Sequence, residues 1–198
     1  IFNNKAPTSV PEWAFCYYAK LKQDTKYSRN ERIGKGKFMD MSTAINGDNV
    51  KLSADKKSLI LIDQTKLPNS LEFVTVQTAR QLFDAICQLK VRGAPAIGIA
   101  AAYGMYVLAQ QIEADNYDDF LVEFRRQKDF INSSRPTAVN LSWALNRMEK
   151  LVVDNSHKSK SEIIALLEQE SISIQEEDIA MCQAISEHGL TLIRDRDG

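Results

Sequence analysis

The sixteen residues from Ala94 to Ala109, APAIGIAAAYGMYVLA, carry no charge and are mostly small. No other stretch limits the fold as strongly. The run is too short to cross a bilayer, which takes about 18–20 apolar residues. It is also too uniformly apolar for a surface helix with one wet face. It reads as a helix buried inside a domain. Gly98, Ala100, Ala101, Ala102 and Gly104 leave little side chain in the way, so neighbouring backbones can come close. Pro95 fits the first turn, where its missing N–H has no partner to lose, so the helix is expected to begin at Ala94 or Pro95. Between Lys90 and Glu113 the single charge is Arg92, directly before this helix.

The chain has 198 residues, enough for one large domain or one domain and part of a second. With 44% hydrophobic and 26% charged residues, a globular protein with a sizeable core is expected. A net charge of −1 gives no overall attraction to nucleic acid or to an anionic membrane, and neither is expected as a partner. Cys16, Cys87 and Cys182 are far apart, odd in number and form no C-x-x-C pair, which favours a reduced, cytoplasmic setting and no metal site. The start, IFNNKAPTSVPEW, has no basic stretch followed by an apolar core, so it does not read as a secretory signal.

Residues 1–40 differ in character from the rest. They hold eight Lys/Arg against four Asp/Glu, and seven of the sixteen aromatics: Phe2, Trp13, Phe15, Tyr17, Tyr18, Tyr27 and Phe38. Basic residues interleaved with aromatics can stack on single-stranded nucleic acid. No recognised binding pattern orders them, which favours an appended segment that docks on the main domain or has no role of its own.

From residue 59 the pattern sharpens. SLILIDQ and the alternating LEFVTV read as two strands joined by a turn at Pro68 and Asn69. TARQLFDAICQLK follows as a helix capped by Thr78, with Ala79, Leu82, Phe83, Ile86 and Leu89 on its apolar side and Cys87 packed beside them. DDFLVEFRRQKDFIN is a second amphipathic helix, led by Phe120, Leu121, Phe124 and Phe130. SSRPTAVNLSWALNRMEKLV is a third, opened by Pro136, in which Trp143 or its neighbours Ala144, Leu145 and Met148 face the core. After the polar DNSHKSK, Ser159 and Glu162 have capping-box spacing for a long helix from about Ser161. Ile172, Ile179, Cys182 and Ile185 are its expected buried stripe, Gly189 its end, and LTLI the beginning of an extended piece.

Two places share a pattern. In RGAPA, Arg92 precedes a proline-opened helix; in SSRPTA, Arg135 does the same. A helix start leaves backbone N–H groups unpaired and partly positive, which stabilises an anion, phosphate above all. Arginine adds a planar fork that matches phosphate oxygens. Gly93 keeps side-chain bulk away from the backbone, and Ser133, Ser134 and Thr137 offer hydroxyl donors. An arginine before a helix can equally be solvated or paired with a carboxylate, and spacing alone does not show that the two sites converge.

The strings LILIDQTKLP, VRGAPAIGIAAAYG, SSRPTAVNLSWALNRM and EEDIAMCQAISEHGLTLI closely resemble the N-terminal half of the methylthioribose-1-phosphate isomerases. These are aldose–ketose isomerases of methionine salvage, related to regulatory subunits of a translation-initiation guanine-exchange factor. The resemblance runs from about Leu59 to the last residue and does not include residues 1–40. It implies an α+β N-terminal domain, a small antiparallel sheet plus several helices, and a long helix that leads to a larger Rossmann-like C-terminal domain. The expected divisions are an extension at 1–40, the N-terminal domain at 41–158, and at 159–198 the connecting helix with the threshold of a C-terminal domain that this chain essentially lacks.

The same resemblance implies a reaction without metal or cofactor, and a homodimer. It gives Arg92, Gly93, Ala94 and Arg135 as substrate-binding residues for a small sugar phosphate. The family's catalytic cysteine and aspartate belong to the C-terminal domain, and no residue here matches them: not Cys16, Cys87 or Cys182, not Asp195 or Asp197, and not His157 or His188. The chain is therefore expected to hold the phosphate-binding half of a site and to be inactive alone. A non-catalytic regulatory-subunit-like relative that binds protein partners or a sugar phosphate, and a ribose-1,5-bisphosphate isomerase, are the alternatives.

Overall fold

In the computed structural model residues 49–192 are described, and the expectations for residues 1–40, Cys16, Asp195 and Asp197 lie outside them. Three short strands start the fold: β1 (Val50–Leu52), β2 (Leu59–Ile62) and β3 (Phe73–Val76), antiparallel in the order β1-β2-β3. The pairing sets Val50 opposite Leu61 and Leu59 opposite Val76. All four are buried, so one face of the sheet is apolar while Lys51, Ile60 and Thr75 share the other. The β2–β3 pair is the hairpin read from alternation. β1 was not anticipated, because three residues are too few to show a period.

Five helices follow: α1 (Ala79–Cys87), α2 (Ala94–Gln111), α3 (Tyr117–Asn132), α4 (Val139–Asp154) and α5 (Lys160–Leu190). Residues Asn49–Asp178 make one compact unit. Thr78 caps α1 in a full capping box: its hydroxyl accepts the Gln81 N–H, and the Gln81 side chain accepts the Thr78 N–H. Leu82, Ala85 and Ile86 are buried, but Leu89 and Cys87 are exposed, contrary to the expected stripe. The reason is the helix end. Lys90 N–H reaches the Ala85 carbonyl and Leu89 N–H the Ile86 carbonyl, with Leu89 at φ 60°. This is a Schellman closure, with leucine in the left-handed place usually held by glycine. It turns Leu89 outward and sends Val91 into the core.

α2 is the axis of the unit. It begins at Ala94 as expected, and every residue from Ile97 to Ala109 is buried, enclosed by α1, α3, α4 and the sheet. Its two interior glycines act differently. A Cβ on Gly98 would meet the Asn140 carbonyl oxygen at 3.0 Å, so here the backbones of α2 and α4 nearly touch. A Cβ on Gly104 would meet Leu82 Cδ2 at 2.3 Å, so that glycine makes room for an α1 side chain. Gly93, which caps the helix, stands at φ 93°, a conformation that suits glycine.

α3 is capped by Asn116 and buries Phe120, Phe124 and Ile131, while Phe130 stacks on Phe83 with centroids 4.7 Å apart. α4 buries Leu141, Ala144, Leu145, Met148 and Val152 and leaves Trp143 exposed beneath the Arg147 guanidinium. Its start departs from expectation. Pro136 and Thr137 form a turn closed by Ala138 N–H on the Arg135 carbonyl, and the helix begins only at Val139. Proline disfavours helical geometry in the residue before it, which keeps Arg135 out of the helix.

α5 begins beside the capping pair: Ser159 N–H donates to Glu162 Oε2 at 2.9 Å. The buried positions of α5 are Ile163, Leu167, Ser171 and Ile174, not the stripe expected from sequence. Ile172 is half-buried, and Ile179, Cys182 and Ile185 are exposed. Polar ties fix the rotation of the helix. Tyr103 donates to Gln175 at 2.6 Å, Tyr106 to Glu168 at 3.1 Å, and Arg147 binds Glu170 and Glu177. Burial first, then the bond and charge of Glu168, push the Tyr106 phenol up to about 12. Ser171 fits the buried face by donating to the Leu167 carbonyl. Gly189 lies within α5 rather than ending it, and residues 191–192 form a turn. Among the described residues no helix is long and apolar enough to cross a membrane.

Two substitutions separate the roles of the glycines. Gly98→Val forces a branched side chain against the α4 backbone and is expected to cost about 2 kcal/mol or more in a denaturant titration. Gly93→Ala meets nothing within 4 Å, so it is expected to cost about 1–3 kcal/mol through backbone strain alone. A pH dependence follows from Glu149, which binds Lys128 and Arg125. The Lys128 bond above all, against the effect of burial, holds its carboxyl below the ordinary 4.5. Its folded value lies below its unfolded one, so its stabilisation is complete above about pH 4.5 and is lost as pH falls further. Unfolding midpoints of the parent and of Glu149→Gln are expected to draw together as pH falls below about 4.5.

Candidate functional site

Arg92 lies in the short link between α1 and α2. The Schellman closure brings the Lys90 carbonyl to the Gln64 N–H at 2.9 Å, joining the link to the loop after β2. Arg92 then returns a bond of its own, from Nη2 to the Gln64 carbonyl. That uses one of the five N–H donors of the guanidinium. Beyond Gly93 the α2 start has no side-chain cap and no acidic residue in its first turn. Pro95 has no N–H, and the first helical N–H to be satisfied is that of Ile97, on the Gly93 carbonyl. The N–H groups of Ala94 and Ala96 therefore have no partner among the described residues. Arg92, Gly93, Ala94 and Pro95 are all exposed.

Arg135 sits half-buried between α3 and α4. The hydroxyls expected to assist it are committed elsewhere: Ser133 donates to the Phe130 carbonyl and Ser134 to the Ile131 carbonyl. They cap the end of α3 and have no hydrogen left for a ligand; Thr137 stays exposed. The Gly98–Asn140 contact lies about one turn into α2 and within the first turn of α4. It places the crossing of the two helices near the start of each.

The described arginines fall into two groups. Arg80, Arg125, Arg126 and Arg147 all pair with carboxylates. Arg92 and Arg135 have no carboxylate partner among the described residues. One feature that sequence reasoning missed is the Gln64 carbonyl beneath Arg92; a main-chain acceptor leaves no trace in residue types. Asp63, buried at the root of that loop, was missed too.

Other candidates lie apart. His157 and His188 are exposed, as are Cys87 and Cys182 on their helices. No group of three potential metal ligands occurs among the described residues. A pocket of about 220 Å³ lies at the other end of α2, lined by Asn116, Tyr117, Lys158, Ser159 and Lys160 among others. None of the expected binding residues reaches it.

A 5-deoxyribose 1-phosphate isomerase of Clostridium botulinum (strain Kyoto / Type A2) is 44% identical over 149 residues, 75% of this chain and 43% of that protein. A methylthioribose-1-phosphate isomerase of Parabacteroides distasonis is 47% identical over 145 residues, 73% of this chain and 43% of its own length. The chain thus spans less than half the length of these curated relatives. Among solved structures, 5-methylthioribose 1-phosphate isomerase of Pyrococcus horikoshii matches with a TM-score of 0.62 and 37% identity, over 65% of this chain and 36% of that one. The delta subunit of translation initiation factor eIF-2B from A. fulgidus matches with a TM-score of 0.67 and 35% identity, over 75% of this chain and 42% of that one. Residues 90–198 match the model of the initiation factor 2 subunit family, and with sugar-phosphate isomerases among its relatives this chain belongs to that family.

Proposed function

We propose that this chain carries the phosphate-binding half of an aldose–ketose isomerase acting on 5-methylthioribose 1-phosphate in methionine salvage. The observation that carries the reading is the pair Arg92 and Arg135: two arginines without carboxylate partners among the described residues, set before helices that touch near their starts. Arg92, with the open N–H groups of Ala94 and Ala96, grips the phosphate. Gly93 leaves the approach clear. Arg135 shares the phosphate or reaches the sugar hydroxyls.

The substrate explains why such a grip matters. The phosphate is on the anomeric oxygen, so the sugar ring must open at a blocked acetal, with an acid assisting departure of the ring oxygen. A hydrogen then passes between C1 and C2, and the carbonyl ends at C2 as 5-methylthioribulose 1-phosphate. Fixing the phosphate holds C1 and C2 in place for groups supplied from outside these 198 residues. The likeness to the botulinum proteins supports 5-deoxyribose 1-phosphate as a second substrate, since the two sugars share the C1 phosphate and differ at C5. The likeness to the eIF-2B delta subunit supports a regulatory relative instead, in which the helical scaffold serves protein partners. The exposed Ile179, Met181 and Ile185 of α5 support self-association as a homodimer.

Calorimetric titration with 5-methylthioribose 1-phosphate tests the reading. A charged hydrogen bond contributes about 1.5–3 kcal/mol, so Arg92→Ala is expected to weaken binding about tenfold or more. Arg92→Lys is expected to weaken it too, because lysine keeps the charge and loses the fork. Stability should stay nearly constant in both. If Arg92→Ala and Arg135→Ala bind like the parent, the two are ordinary surface arginines. The 198-residue chain by itself is expected to give no isomerisation above the enzyme-free background.

A further inference from the structure

The loop that receives Arg92 is shaped by a buried carboxylate. Asp63 is 5% exposed, at the end of β2. Its Oδ1 accepts both the Thr65 N–H at 3.0 Å and the Thr65 hydroxyl at 2.6 Å. Its own N–H donates to the Glu72 carbonyl at 2.8 Å, and its carbonyl accepts the Lys66 N–H at 3.1 Å. Between these anchors lies Gln64, whose N–H is tied to the Lys90 carbonyl and whose carbonyl receives Arg92. Burial raises the Asp63 carboxyl, yet the two Thr65 bonds and the charges of Lys90 and Lys66 outweigh it and keep it below the ordinary value. The residue is therefore a charged acceptor with its hydrogen bonds directed into the turn.

An arginine held by a single bond to a main-chain carbonyl is only as ordered as that carbonyl. We propose that Asp63 is a positioning residue for Arg92: by closing the turn with Thr65 it presents the Gln64 carbonyl to the guanidinium and orients the remaining N–H donors outward. The inference rests on Arg92 as a phosphate ligand, and the test reads the two ideas separately. It needs no contact between Asp63 and a ligand. An amide side chain can accept the same two bonds, so asparagine should serve where alanine fails.

The experiment uses the full chain labelled with ¹⁵N and inorganic phosphate as the probe. Order at Arg92 is read from the heteronuclear NOE of its Nε–Hε group, and affinity from amide shifts of Gly93 and Ala94. Asp63→Ala is expected to lower the Arg92 NOE and to weaken phosphate binding about threefold to tenfold, the effect of weakening about one hydrogen bond from a disordered Arg92 to the phosphate. Asp63→Asn is expected to stay within about twofold of the parent. Thr65→Val removes only the hydroxyl bond, so it keeps the inference testable if Asp63→Ala fails to fold; it should shift both readouts in the same direction and less far. Asp63→Ala with an unchanged Arg92 NOE overturns the inference, as does Asp63→Asn as impaired as Asp63→Ala. Arg92→Ala is the control on the phosphate reading. If it leaves phosphate binding intact, that reading fails, while the NOE still decides whether Asp63 orders Arg92.

Discussion

The burial of α2 is the constraint on which the domain depends. A helix with no polar side must be covered on every side, and here α1, α3, α4 and the sheet cover it. Burying apolar surface contributes roughly 25 cal/mol per Å², so a helix enclosed from Ile97 to Ala109 dominates the local energetics. Close approach is what makes the enclosure possible. Where Gly98 meets the Asn140 carbonyl, two helix backbones come so close that even a Cβ would need its neighbour to give by a few tenths of an ångström.

That approach also has a consequence at the end of the helix. Gly98 lies one turn into α2 and Asn140 in the first turn of α4, so the crossing falls near the starts of both helices. The loops before them carry Arg92 and Arg135, while the other described arginines are spent on carboxylates along the helix faces. The apolar axis fixes the crossing, and each of the two helices has an arginine without a carboxylate partner among the described residues in the loop before it.

The polar contacts of α5 work differently. They lie at the margin of the core, from Tyr103, Tyr106 and Arg147 to side chains on one face of the long helix. The Arg147 guanidinium is held firmly protonated, by Glu177 first and Glu170 after it, against the effect of burial. Such bonds add little stability at a wet margin, where exposed ion pairs contribute about 1 kcal/mol or less. They select one rotation of the helix among several that would bury similar apolar area.

That difference separates what was legible in the sequence from what was not. The charge-free run predicted α2 and its start, because burial and the tolerance for proline at a helix opening are local properties of the residues. Capping pairs predicted the starts of α1 and α5 for the same reason, and alternation predicted the β2–β3 hairpin. The arginine before α2 was visible as a charge that the surrounding pattern does not need. The buried face of α5 was not visible, because Ile172 and Ile179 are as apolar as Ile163, Leu167 and Ile174, and only bonds from other helices choose between the two faces, while Ile185 shares the buried face but lies beyond Asp178, where the compact unit ends. The delayed start of α4 came from a turn that Arg135 closes through its carbonyl. The bond from Arg92 to Gln64 joins residues 28 apart through a main-chain oxygen. The sequence by itself determined which segments are helices and strands and which arginines merit scrutiny. Tertiary structure alone decided which face each helix turns inward and which carbonyl an arginine finds, since both depend on atoms that distant segments bring together.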